Sequence, residues 1–270
     1  MPAVLRVIHP APALAVVLLS AALAAILAAQ HGGPIDAGLV ILTVLSIAGS
    51  QVFTGATNDL ADRDRDAAAR PEKPIPSGDL SVNAALWVAS IGLGLQLAAS
   101  LRLGVLALAL GAIATASALA YNLALSRTPA SVIPYLISFG VLPFWIAAGV
   151  GVPAERVFAA ALLVPPFAGA AHLANTARDF DADASGGSRS LAQVLGRERS
   201  RRIAFVVAMA VGIGVGIALL AGGGLTPAVM ALGLAGLVAV AQGARDARRL
   251  WYGMLVAAVC WTAAWAIATG

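Results

Sequence analysis

Residues 37–66 read AGLVILTVLSIAGSQVFTGATNDLADRDRD. The stretch 37–56 contains no Asp, Glu, Lys or Arg, and an apolar run of that length spans a hydrocarbon core as a helix. The segment Asn58 to Asp66 then holds four aspartates and two arginines. An apolar helix therefore runs straight into an acidic cluster at a membrane–water boundary. This predicts an all-α polytopic membrane protein rather than a membrane barrel, whose strands alternate apolar and polar residues.

Eight further stretches lack the same four residue types: 12–29, 81–101, 103–124, 130–151, 157–174, 203–222, 225–244 and 250–269. Of the 270 residues 60% are hydrophobic and 11% charged, and the mean hydropathy is +0.89. A soluble domain carries about 25% charged residues, so a soluble enzyme and a disordered chain are both excluded. Nine transmembrane helices are predicted. With that count, fifteen of the seventeen basic residues fall on one side, and only Arg102 and Arg156 fall on the other. The asymmetry places the N-terminus in the cytoplasm and the C-terminus outside. Arg6 followed by 12–29 has the look of a signal peptide, but the charge distribution holds only if that run is kept as the first span.

The single cysteine, Cys260, excludes a disulfide framework. The pI near 10.0 reads as topogenic charge in the cytoplasmic loops, so no nucleic-acid partner is expected. Two loops are long and polar, 57–80 and 175–202. They follow the second and sixth spans, which suggests a single domain over 1–270 built from two related four-helix halves, about 12–124 and 130–244, plus a ninth helix.

Those two loops carry the chemistry. If the second span continues as a helix, Asn58, Asp62 and Asp66 recur every four residues on one face, with Asp59 beside them. The second loop repeats the idea with Asn175, Asp179, Asp183 and Gly187, and His172 falls three residues earlier. Crowded carboxylates repel one another without a cation, and hard oxygen ligands suit Mg²⁺, which shares its shell with phosphate oxygens. Two such rows on the same side of the membrane would hold two Mg²⁺ ions bridging a diphosphate. Lys73, the only lysine, lies in RPEKPIPSG (70–78), stiffened by three prolines. Taken alone, His172, Tyr121 and the tryptophans read as packing or interfacial residues.

The motifs resemble those of the UbiA-type intramembrane prenyltransferases. Asn58, Asp59, Asp62 and Asp66 match the family's N-D-x-x-D-x-x-x-D. Lys73 to Gly78 looks like its [RK]-P-[IL]-P-S-G, and Asp179, Asp183 and Gly187 match D-x-x-x-D-x-x-x-G. The resemblance covers the whole chain and implies nine helices around a central cavity. It implies transfer of a prenyl group from a polyprenyl diphosphate to an aromatic or other small, lipid-like acceptor within the membrane. Asn58, Asp62, Asp66, Asp179 and Asp183 would hold the metal, with Asp59, Asp62, Asp179 and Asp183 as the catalytic carboxylates. Arg63, Lys73, Tyr121, Arg127 and Arg189 would bind the diphosphate. Ser126 and Arg127 stand where many members carry Lys-Arg. The spacing from Asp66 to Lys73 is similar to the chlorophyll-synthase and archaeal lipid branches, whereas Asn175 to Asp179 is similar to the menaquinone branch, so the acceptor stays open. A terpene cyclase on the same scaffold and an ion-coupled transporter are the alternatives. The location expected is the cell membrane, with the active site facing the cytoplasm.

Overall fold

The computed structural model describes residues 1–30 and 34–269. Among the described residues, nine apolar helices lie where the nine uncharged stretches fall: α1 (Pro10–Gln30), α2 (Ala37–Ala69), α3 (Val82–Leu103), α4 (Val105–Ala120), α5 (Ile133–Gly149), α6 (Phe158–Arg178), α7 (Arg197–Ala221), α8 (Pro227–Gln242) and α9 (Ala247–Thr269). No strand occurs among the described residues. Among the described residues eight apolar segments reach membrane length, the fourth being α4 with the turn that follows it and the fifth α5 with the turn before it. The stretch predicted at 225–244 forms only the 16-residue α8. A helix of that length reaches about 24 Å against a core of about 30 Å, so α8 is the shorter ninth apolar helix beside eight of membrane length among the described residues.

Helix starts follow capping chemistry. Asp36 accepts from the Gly38 and Leu39 N–H groups at the start of α2. Ser81 caps α3, and Thr226 caps α8 ahead of Pro227. These side chains satisfy N–H groups that the helix itself leaves unpaired. Gly104, at φ 104°, makes the tight break between α3 and α4, a backbone region open to glycine. Pro134 sits in the first turn of α5, while Pro143 lies inside α5 and Pro165 and Pro166 inside α6.

Successive helices pack against one another, and α9 returns to touch both α1 and α6, closing a ring. Close approach depends on small residues. A Cβ on Gly49 of α2 would lie 2.6 Å from backbone atoms of α3, and one on Gly92 of α3 would lie 2.7 Å from the Phe53 nitrogen. One apolar core joins α6 to α9, and a second, including Trp145 and Ile146, joins α1, α2, α4 and α5. Between α1, α2, α4 and α5 lies a cavity of about 210 Å³. Pro12, Val16, Ile47, Phe139, Leu142 and Trp145 supply its apolar walls.

Candidate active site

α2 is 33 residues long, about 50 Å, so it carries its acidic turns well past the apolar stretch. A helix turns about 100° per residue, so a row spaced by four drifts about 40° per step. Asp66 therefore arrives about 80° round from Asn58, beside Asp59, and the structure divides the expected row there. Asp59 and Asp66 are buried, at 2% and 6% exposure. They share Lys73, whose Nζ donates to Asp59 Oδ1 at 2.9 Å and to Asp66 Oδ2 at 2.7 Å. The resemblance assigns Lys73 to a diphosphate, yet its ammonium here is committed to two carboxylates of the same chain.

A residue that sequence reasoning missed joins this cluster. His9 Nε2 lies 2.9 Å from Asp59 Oδ1. His9 holds φ 51°, the one positive φ at a non-glycine position among the described residues. Such backbone costs about 1–3 kcal/mol and persists only where the surroundings impose it. The imposition is visible: Val7 is fully buried, Arg6 pairs with Asp79 and donates to the Glu72 carbonyl, and Gly55 leaves room for the Ile8 backbone. The N-terminal segment thus fastens the loop containing Lys73 onto α2.

Asn58 and Asp62 take the other face. Asn58 donates to Asn122 Oδ1 at 3.2 Å, and Asn122 donates to the Thr54 carbonyl and Thr57 Oγ1. Asn122 lies in a π-turn, Tyr121–Leu125, that ends α4, and insertions of that kind recur at functional sites. Asp62 pairs with Arg65 one turn later.

The second motif straddles a break. α6 stops at Arg178, and a short helix, Phe180–Ser185, follows Asp179. Arg178 grips Asp179 with both arms of its fork, at 2.8 and 2.6 Å. Burial, followed by the neighbouring Asp179, holds the Asp183 carboxyl above its ordinary value, against the pull of Arg70, Arg65 and Arg127. Those arginines come from the loop after α2, from α2 itself and from the turn after α4, so both motifs meet over one site. Tyr121 lies within electrostatic reach of Asp183 and Arg65 and also lines the cavity.

Arg127 is tied into the second motif. Its guanidinium donates to the Gly186 carbonyl, and its own carbonyl accepts from the Arg189 N–H at 3.0 Å. Gly187 has φ 68°, and a Cβ there would lie 3.3 Å from Arg127 Nη2. Gly187→Ala is therefore expected to cost about 1–2 kcal/mol from backbone conformation alone and to displace Arg127. Unfolding in detergent measures this, and an unchanged midpoint would count against the contact. Of the remaining candidates, Arg63 faces Asp64 on an exposed surface and the Arg189 side chain is exposed. His172 bonds Ser131 at 3.1 Å and stacks on Tyr135 at 4.3 Å, in keeping with a packing histidine.

Among the described residues no three His, Cys, Asp or Glu side chains converge on a single point. Most of the candidate carboxylates are turned onto nearby cations: Asp59 and Asp66 onto Lys73, Asp62 onto Arg65, Asp179 onto Arg178. The donor set nevertheless fits Mg²⁺. It is made of oxygen ligands. Within the set, the buried Oδ1 of Asp62 has no partner but its ion pair with Arg65.

Residues 17–249 match the sequence profile of the UbiA prenyltransferase family. The chain is 30% identical over 175 residues to the digeranylgeranylglyceryl phosphate synthase of Methanoculleus marisnigri, covering 63% of this chain and 60% of that one. It is 31% identical over 173 residues to the enzyme of the same name from Natronomonas pharaonis, covering 62% and 60%. The match thus spans about 60% of the length of these curated relatives. In fold, the chain is similar to a UbiA homolog from Aeropyrum pernix, with a TM-score of 0.76 at 20% identity over 92% and 96% of the two chains. It is also similar to a UbiA homolog from Archaeoglobus fulgidus bound to GPP and Mg²⁺, with a TM-score of 0.74 at 16% identity over 99% and 100%.

Proposed function

Because the chain belongs to the UbiA prenyltransferase family, we propose that it transfers a prenyl group from a prenyl diphosphate to a lipid-like acceptor within the membrane. The carrying observation is one juxtaposition. The mostly apolar cavity reaches Tyr121 at its motif end, and Tyr121 lies within reach of Asp183 and Arg65 of the two acidic motifs. Trp145, on α5 about 15 Å beyond Tyr135, lines the same cavity deeper in the bundle. A prenyl tail fits such walls, while its diphosphate stays with the charged groups at the helix ends.

On this reading Asn58, Asp62, Asp179 and Asp183 would hold Mg²⁺. The bound metal would neutralise charge building on the departing diphosphate. Arg65, Arg70 and Arg127, all within electrostatic reach of Asp183, would supply guanidinium forks for diphosphate oxygens. Lys73 and His9 hold Asp59, Lys73 also holds Asp66, and these contacts keep α2 in register with the loop that follows it. Tyr121 and Tyr135, whose rings lie 5.3 Å apart edge to face, both line this cavity, where aromatic rings would stabilise a developing allylic cation.

The names of the two curated relatives favour an acceptor of the glycerol phosphate type over an aromatic one. The charge asymmetry supports a multi-pass protein with this site on the cytoplasmic side. Purified protein with Mg²⁺, labelled prenyl diphosphates and a panel of glycerol phosphate lipids and aromatic acceptors tests the reading. Label is expected in a glycerol phosphate lipid, and chelation is expected to abolish transfer. Pyrophosphate release with no acceptor present would point instead to a cyclase. Neither transfer nor release with any donor would sink the proposal.

A further inference from the structure

A second cavity, of about 310 Å³, opens at the motif end of the bundle between α6, α7 and the start of α9. Five arginines line it: Arg178, Arg197, Arg201, Arg245 and Arg248. Three of them are already paired. Arg178 holds Asp179, Arg197 holds Asp181 and Arg201 holds Glu198. A third carboxylate in the wall, Asp246, accepts from the Arg249 N–H at 2.7 Å and caps α9. Among the described residues no carboxylate pairs with Arg245 or Arg248. The cleft therefore presents two free guanidinium groups within a wall of excess positive charge.

Its depth is set by its neighbours. Trp251 and Tyr252 lie in the first turns of α9, the Arg178 guanidinium stacks 4.7 Å over the Trp251 ring, and Tyr252 is half exposed. Aromatic residues of this kind collect at headgroup level. Along α7, Ile203 and Val206 are exposed within two turns of the cleft, so the lipid-facing surface begins directly beside it. A basic cleft at that level meets phosphate, and guanidinium forks match phosphate oxygens better than any other side chain.

We propose that this cleft is a phosphate-binding site separate from the prenyl-transfer site, filled by the headgroup of an anionic phospholipid. Arg178 belongs to the cleft and to the second motif alike, so one guanidinium is common to both. Scattered topogenic charge would need neither a cavity nor arginines converging from three helices.

The test uses the full-length protein in phosphatidylcholine vesicles, titrated with phosphatidylglycerol in one arm and with inorganic phosphate in the other, and reads the unfolding temperature. A ligand that binds only the folded state raises that temperature with concentration. Phosphatidylglycerol is expected to raise it for the wild type. In Arg245→Gln/Arg248→Gln the midpoint of the titration is expected to move to about thirtyfold higher content, since each arginine contributes about 1 kcal/mol near an anionic surface. Both positions are exposed, so the variant is expected to match wild type in phosphatidylcholine alone. An arginine-dependent rise with inorganic phosphate instead would keep the site and assign it to a free anion. No rise with either probe, or the same rise in wild type and variant, overturns the proposal.

Discussion

Asp62→Asn is expected to lower prenyl transfer by about a thousandfold, the scale of loss when a group that stabilises developing charge is removed, while leaving the fold intact. Asp62 pairs with Arg65, which lies within electrostatic reach of Asp183 in the second motif. The Asp62 side chain is 22% exposed and that of Arg65 40%. Pairs of this exposure are worth about 0–1 kcal/mol, and Asn keeps the side-chain shape, so the unfolding temperature should scarcely move. Asp64→Asn is the control. Asp64 is two residues further on, 90% exposed and in contact with Arg63, and its removal should leave transfer unchanged. Measuring label transfer and unfolding on both variants separates charge at the site from charge in the loop generally. Full activity in Asp62→Asn would remove Asp62 from the reaction.

Much of this arrangement is legible in the amino-acid sequence. The uncharged stretches mark the helices to within a few residues, because a bilayer admits little else. The acidic motifs stand out because charge is costly at membrane depth. What eludes reading is the division of labour inside one motif. Asn58, Asp62 and Asp66 look equivalent at spacing four, but the drift of the helix turns Asp66 toward Asp59, and Lys73 then claims both. That claim depends on how the loop after Arg70 folds back, with the Lys73 N–H bonded to the Arg70 carbonyl and the Ser77 N–H to that of Lys73. His9 is less visible still, since its partner lies fifty residues away and its strained backbone has no mark in the sequence. Arg65 could have been found: it falls seven residues after Asn58, two turns along the same face. The length of α8 also escapes, because an apolar run does not say where Thr226 will start the helix or where Gly243 will end it.

Lys73→Met is expected to destabilise the protein by about 3–5 kcal/mol, the range for removing one partner of a buried ion pair, and activity is expected to fall with the fold. Asp59 and Asp66 would then be two buried carboxylates near each other, with only His9 at hand. The cost lies mainly in the stranded charges rather than in lost volume, since methionine fills much the same space. That distinction can be measured. Adding Asp59→Asn and Asp66→Asn to Lys73→Met removes the stranded charges and should recover most of the unfolding midpoint. A triple variant no more stable than the single one would assign the loss to packing. A Lys73→Met protein as stable as wild type would mean that the ammonium does not bridge the two carboxylates, and would return Lys73 to the diphosphate role that the motif resemblance implies. His9→Ala provides the internal scale. His9 is 36% exposed in its side chain, so its removal should cost less than that of Lys73. If the order is reversed, the N-terminal segment, rather than the loop after α2, is the main brace of the first motif.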